Sequence, residues 1–249
     1  SGYTLSGSAA GNYSLTQPAG LTADITAKGL TISGLTADNK VYNATTSATL
    51  TGTAALVGVE AGDVSNVTLG GSAAASFASA GVGTGVAVTV TGYSISGTAA
   101  TNYTLAQPTG LSADITAKGL TISGLTADNK VYNATTAAIL SGTAAIVGVE
   151  AGDVANVTLG GTAVASFATA GVGTGIAVSV TGYTISGTAA ANYTVAQPTG
   201  LTADITAKGL TISGLTADNK VYNATTAATL TGTAALVGVE AGDVANVTL

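Results

Sequence analysis

Ala37-Asp38-Asn39-Lys40-Val41-Tyr42-Asn43-Ala44-Thr45-Thr46 returns unchanged at residues 127–136 and again at 217–226. The spacing is about 90 residues each time, and the charged residues of the chain keep to it. A period of that length is itself the size of a small domain, so the 249-residue chain reads as a tandem array and not as one large domain. Residues 28–117 and 118–207 are expected to be complete repeats, with 1–27 the C-terminal part of one repeat and 208–249 the N-terminal part of another.

Within the quoted stretch, Asp38-Asn39-Lys40 carries turn chemistry, because short polar side chains bond nearby backbone groups there. Ahead of it, Gly29-Leu30-Thr31-Ile32-Ser33-Gly34 alternates apolar and polar, the period of a half-buried strand. Behind it, Val41-Tyr42 and residues 47–52 read as strands, 54–59 as a continuation past a bend, and Glu60-Ala61-Gly62-Asp63 as the next turn. Residues 64–69, 73–78, 86–90 and 93–95 are further alternating runs, separated by Gly70-Gly71, by Gly81-Val82-Gly83-Thr84-Gly85 and by Gly92. Asn102-Tyr103-Thr104-Leu105 leads to Gln107-Pro108, where proline removes a backbone donor and ends or edges a strand. The expected fold class is all-β: tandem Ig-like antiparallel β-sandwich repeats. Asp114-Ile115-Thr116-Ala117-Lys118 holds no flexible Gly/Ser or Pro linker, so stiff joining into a rod or fibre is expected. A β-solenoid is the alternative, against which stands the lack of a sub-period of about 20 to 30 residues.

Composition narrows the function. Charged residues make up 7% of the chain, there is no Arg or His, and the net charge is −6. Two Lys per repeat set among four acids leave no basic stripe to neutralise phosphates, which excludes nucleic-acid binding. With nine Tyr, two Phe and no Trp or Met, the core is expected to be shallow and built from Val, Ile, Leu and Ala. The absence of Cys rules out disulfides and thiolate metal sites. Mean hydropathy is +0.50, yet Gly, Ser, Thr or Asn interrupts every apolar stretch before it reaches about 18 residues, so no transmembrane segment is expected. Residues 1–27 show no signal-peptide pattern. The two complete copies differ at 14 positions, mostly by swaps such as Leu56 against Ile146 that keep volume and pattern.

Gly81-Val82-Gly83-Thr84-Gly85 lacks the Lys-Ser/Thr and the following helix of a phosphate-cradling loop, and a glycine hairpin is the better reading. Without His or Cys, no nucleophile has an obvious base, and the chain is not expected to be an enzyme. Asp24, Asp38, Glu60, Asp63 and their copies are the only acids; their scatter favours solvated turns over a calcium site between domains, the one cofactor considered. Lys40, Lys130 and Lys220 are candidate crosslink lysines, since a buried Lys can attack an Asn amide beside a carboxylate to form an isopeptide bond. Asn43, Asn133 and Asn223 are candidate glycan-attachment sites, each in an N-x-S/T pattern within a loop. Tyr42, Tyr132 and Tyr222 are candidates for recognition of a ligand by the same loop.

The run from Leu30 through Asp38-Asn39-Lys40-Val41-Tyr42-Asn43-Ala44 to Thr46 resembles the signature of the YDG repeat domains of bacterial filamentous-haemagglutinin-like, two-partner-secreted surface adhesins. So do Ala80-Gly81-Val82-Gly83-Thr84-Gly85, Thr91-Gly92-Tyr93-Ser94-Ile95-Ser96-Gly97, and Asn102-Tyr103-Thr104-Leu105 through Asp114-Ile115-Thr116, in the family's order and across the whole chain. One departure matters: the family's Tyr-Asp-Gly is Tyr42-Asn43-Ala44 here, and likewise in the other copies. Ala tolerates positive φ poorly, so this turn is expected to need no glycine conformation. The resemblance implies an exported protein, extracellular or on the bacterial cell surface, whose tandem domains form a stalk serving adhesion, and it implies no enzymatic activity. The partners expected are neighbouring copies of the same repeat, self-associating into fibres, and a host or cell-surface glycan or protein.

Overall fold

Alternation sets where the strands run, and the backbone alone sets where they cross. The computed structural model describes residues 2–249. Eight strands make the first complete repeat: β1 (Lys28–Ala37), β2 (Lys40–Val41), β3 (Ser47–Ala48), β4 (Leu50–Val57), β5 (Thr68–Phe77), β6 (Gly83–Ser96), β7 (Tyr103–Leu105) and β8 (Leu111–Thr116). They recur as β9 (Lys118–Ala127), β10 (Lys130–Val131), β11 (Ala137–Ala138), β12 (Leu140–Val147), β13 (Thr158–Phe167), β14 (Gly173–Ser186), β15 (Tyr193–Val195) and β16 (Leu201–Thr206). A hairpin of β17 (Thr211–Ala217) and β18 (Leu230–Val237) follows. Short 3-10 turns at Ala61–Asp63 and Ala100–Asn102, with counterparts at Ala151–Asn156 and Ala190–Asn192, are the helical content of the two repeats. The protein is all-β, as its periodicity requires.

Contacts divide the chain into two compact units. One is the chain up to Asp38 with Ser47–Phe77 and Ala87–Ser112; the other is Asn39–Thr46, Ala78–Val86 and Ala113–Leu249. The division does not follow the repeats, because two loops of the first repeat belong with the second.

In the second unit, a five-stranded sheet runs in the order β10-β16-β14-β13-β11 and a three-stranded one in the order β12-β9-β15. Phe167, Val178, Val180, Ala203 and Ile205 form the core of the larger sheet, and Ala127 and Leu140 of the smaller sheet pack against them. That is a sandwich. Its centre holds Phe167, the one Phe of the repeat, so the core is not purely aliphatic as composition suggests. The pairing is also mixed: β13 with β14 and β9 with β12 are antiparallel, whereas β15 with β9 and β10 with β16 are parallel. Parallel neighbours need a long crossover, and the intervening chain, which contributes strands to both sheets, supplies it. In the first unit the β4-β1-β7 sheet carries a second core of Leu30, Val67, Ala99 and Tyr103, flanked by Leu56, Val59 and Ile95.

Gly70-Gly71 and Gly92 do not break strands as their sequence suggests; they lie inside β5 and β6, where the register shifts between Gly71 and Ala74. The counterpart in the second repeat shows why. Gly161 has φ of 86°, and a Cβ there would stand 2.1 Å from the carbonyl oxygen of Gly182 on the partner strand. A bulge lets the two backbones approach that closely only where neither has a side chain. Gly161→Ala is therefore expected to destabilise urea unfolding by about 2 kcal/mol or more. Gly152→Ala, where the added Cβ meets nothing within 4 Å, is expected to stay within about 0.5 kcal/mol of the parent.

Candidate functional site

A connected polar cluster lies within the second unit, where loops contributed by the first repeat meet the second. Lys40 and Val41 form a two-residue strand parallel to Ile115 and Thr116 of β8. Asn39 fixes the entry, its Oδ1 accepting the Asp114 backbone N–H at 2.7 Å, and the Tyr42 N–H donates to the Thr116 carbonyl at 2.8 Å. These bonds aim the Tyr42 side chain at the next repeat.

There the Tyr42 hydroxyl donates to Asp153 Oδ2 at 2.7 Å, and the Tyr193 hydroxyl donates to the same oxygen at 2.7 Å. The two rings meet edge to face, with centroids 5.3 Å apart and planes at 78°, a favoured aromatic geometry. The Tyr193 oxygen also accepts the Glu150 N–H at 3.1 Å, and Glu150 pairs with Lys118. Asn192 belongs to the same junction, its Oδ1 accepting the Val82 N–H at 2.9 Å. Tyr42 and Tyr193 are each only 5% exposed. Carboxylate, phenols and amide are thus all satisfied inside one junction.

The cross-repeat bond recurs one period later, where the Tyr132 hydroxyl donates to Asp243 Oδ2 at 2.6 Å. In the first unit Asp63 accepts the phenol of its own repeat, Tyr103, at 2.8 Å. Burial comes first among the causes that raise the Tyr42, Tyr103 and Tyr193 phenols above the ordinary value, while for Tyr132 the bond to Asp243 leads. Tyr193 is pushed up to about 12.

The YDG domain family matches residues 26–110 and 116–200. The chain belongs to the YDG domain family. No curated protein and no solved structure matches it. Tyr42, which resembles the tyrosine of the family's Tyr-Asp-Gly motif, is thus the residue that crosses to the next repeat. The motif's second position is Asn43, whose Oδ1 accepts the Lys40 ammonium at 3.0 Å, the Thr45 N–H at 3.2 Å and the Thr45 hydroxyl at 2.9 Å. Its third position corrects the sequence reading: Ala44, Ala134 and Ala224 have φ of 59°, 59° and 55°, the left-handed region that glycine adopts most easily. The hydrogen bonds converging on Asn43 hold the alanine there against its own preference.

The other candidates fall as follows. Lys40 also donates to the Thr45 carbonyl and Lys130 to those of Thr135 and Ala137, while Lys130 sits 5.2 Å over the Phe167 ring. Lys220 bonds Asn223 and Thr225 in the same way. Each ammonium closes its own loop. Asn43, Asn133 and Asn223 are exposed. Tyr42, expected to offer its ring to a ligand, is spent inside the junction, Tyr132 is half-buried on Asp243, and Tyr222 is 89% exposed. Among the described residues no three acidic side chains converge, and the acids are engaged locally, Asp38 by the Thr51 hydroxyl and Asp114 by the Gly85 N–H. No helix among the described residues is long and apolar enough to cross a membrane, which says nothing of a β-barrel.

The Asp–Tyr contact escaped the sequence reading because Asp63 looks like an ordinary turn acid and Tyr103 like an ordinary strand residue. The available signal was that Glu60-Ala61-Gly62-Asp63 and Asn102-Tyr103 are unchanged between copies while neighbouring Ser65 and Thr101 vary.

Two outcomes follow from this geometry. A raised phenol contributes stability that is complete below its unfolded value near pH 10 and lost as pH climbs through the folded one. Phenolate absorbance should therefore show Tyr193 ionising late, near pH 12, with loss of β structure, and Asp153→Asn should pull that step to lower pH. Ala44→Gly, which relieves the left-handed alanine, is expected to stabilise the protein by roughly 0.5–1 kcal/mol in urea unfolding.

Proposed function

We propose that the chain is a spacer: a run of structural repeats in an extracellular bacterial protein of the adhesin type, stiffened at each joint and lacking catalytic work. The single observation that carries this reading is that Asp153 receives phenols from two successive repeats across a junction with Ala117 alone between β8 and β9. A carboxylate shared in that way ties the orientation of one repeat to the packing of the next, which is what a load-bearing or distance-keeping segment requires. Membership of the YDG family supports the array, and the low charge and absence of His and Cys leave little for chemistry. The resemblance to haemagglutinin-like surface proteins supports the extracellular and adhesive setting. The alternative, a glycan- or protein-binding module acting through the Asn43–Thr46 loop, keeps exposed side chains in its favour but loses the Tyr42 ring.

Tyr42→Phe keeps the ring and removes a hydrogen bond to a charged acceptor, so unfolding of the full chain should become easier by about 1.5–3 kcal/mol and less cooperative. Tyr42→Ala combined with Tyr132→Ala should broaden the distribution of dimensions in small-angle scattering while far-ultraviolet β signal is kept. A scattering profile identical to the parent's would remove the stiff-joint reading.

A further inference from the structure

Tyrosine is the side chain of this protein most open to oxidation. The chain has no Cys, Met, Trp or His, so an oxidant meets no thiol, thioether, indole or imidazole, and nine phenols remain as its targets. Two of these, one from each complete repeat, are held in contact. The rings of Tyr42 and Tyr193 have centroids 5.3 Å apart and planes at 78°. Both hydroxyls donate to Asp153 Oδ2, each at 2.7 Å, so the ring carbons ortho to the two phenol oxygens flank a single atom. Backbone bonds fix both residues from behind: Tyr193 opens β15, paired parallel with Lys118 of β9, and the Tyr42 N–H is bound to the Thr116 carbonyl.

The cluster also supplies what oxidation of a phenol requires. A phenol that has lost an electron is a very strong acid, so the electron leaves far more easily when a base already holds the proton. Burial leads the causes that raise both phenols above their ordinary value, Tyr193 to about 12, so both keep their protons at neutral pH. The proton must then leave with the electron, and Asp153 is the base in contact with both hydroxyls. Asp153 is half-buried, which lets a proton received there pass on to water, while the two rings are shielded from other reactants.

We propose that Tyr42 and Tyr193 form an oxidative crosslinking site, at which a one-electron oxidant joins the two rings as dityrosine and ties successive repeats by a carbon–carbon bond. Two equivalents of the oxidant remove two electrons, and the two hydroxyl protons leave through Asp153 to water. The two phenoxyl radicals pair their electrons in a bond between one ortho carbon of each ring. The hydrogen on each of those carbons then moves to the oxygen of its own ring, and both phenols are restored. The protein has lost two hydrogen atoms, and two equivalents of oxidant have been reduced. Holding the partners in contact turns an encounter between two radicals into a step within one molecule, an advantage that separate tyrosines lack. Crossed ring planes suit the product, whose rings twist about the new bond. The bond would give a cysteine-free chain a covalent clamp at its joint; that use rests on the stiff-joint reading, whereas the chemistry rests on the geometry of the three side chains.

The test uses the full chain carrying Tyr3→Phe, Tyr13→Phe and Tyr222→Phe, which removes phenols that are 70%, 73% and 89% exposed and free to couple between molecules. Dilute protein is illuminated with a ruthenium tris-bipyridyl complex and persulfate, an outer-sphere one-electron oxidising system. The expected product shows dityrosine fluorescence, runs as a monomer on a denaturing gel with or without reductant, and is lighter by two hydrogens, with fragmentation of a digest placing the bond between residues 42 and 193. Tyr42→Phe and Tyr193→Phe should each abolish it. Asp153→Asn, which keeps an oxygen acceptor but no base, should form it more slowly than the parent. In urea the parent should lose its preference for the Tyr42–Tyr193 pair, a control that needs no variant to fold. Dityrosine confined to covalent dimers, joined at other residues, formed equally in Tyr42→Phe or Asp153→Asn, or unchanged in urea overturns the proposal. Failure to crosslink while Tyr42→Phe still eases unfolding removes the oxidative site and leaves the stiff joint; crosslinking with unchanged unfolding of Tyr42→Phe does the reverse.

Discussion

A single carboxylate oxygen that accepts two phenols is the constraint around which this protein is arranged. Asp153 Oδ2 takes the hydroxyl of Tyr193 from its own repeat and that of Tyr42 from the repeat before. For both bonds to form, the turn holding Asp153, the 3-10 turn ahead of Tyr193 and the short strand ahead of Tyr42 must each be placed to within hydrogen-bonding tolerance. The backbone bonds of Asn39, Thr116 and Asn192 are what achieve this. A repeat with few charged and aromatic residues thus places several of them where one repeat meets the next.

The rest of the sandwich serves that placement. β8 passes into β9 with Ala117 alone between them, so the chain carries no flexible spacer across the joint. The parallel pairing of β10 with β16 and of β15 with β9 draws the start and the end of a repeat into adjacent strands. Paired glycines such as Gly161 and Gly182 let strands cross at a bulge and so bend the larger sheet over its Phe167 core. Ala44 shows the same priority at the level of one residue. Its left-handed backbone is unfavourable for alanine by itself, and the hydrogen bonds gathered on the neighbouring Asn43 hold it because the loop must deliver Tyr42.

The strands were legible because period-2 alternation reports directly on which face of a sheet is buried, and the runs around Leu30, Val88 and Ile115 carry it. Glycine misled the reading at Gly71 and Gly92, since a residue that marks a turn in one setting marks a close crossing in another, and only the partner strand distinguishes them. Tyr42 was expected to face a ligand, and its side chain is buried and bonds Asp153. Nothing local to residue 42 or residue 153 tells them apart from an exposed loop tyrosine and a turn aspartate.

The sequence by itself determined the array, the all-β class, the absence of a linker and the family, because period, alternation and motif order are properties of the linear chain. Tertiary structure alone decided that β7 and β15 pair parallel, that Ala44 is left-handed, and that residues 111 positions apart share a hydrogen bond. The physical reason is that these depend on which edges and loops come together after the strands have formed. In a chain of near-identical repeats, every copy of Tyr42 offers the same side chain, and only the packed neighbour fixes which carboxylate it meets.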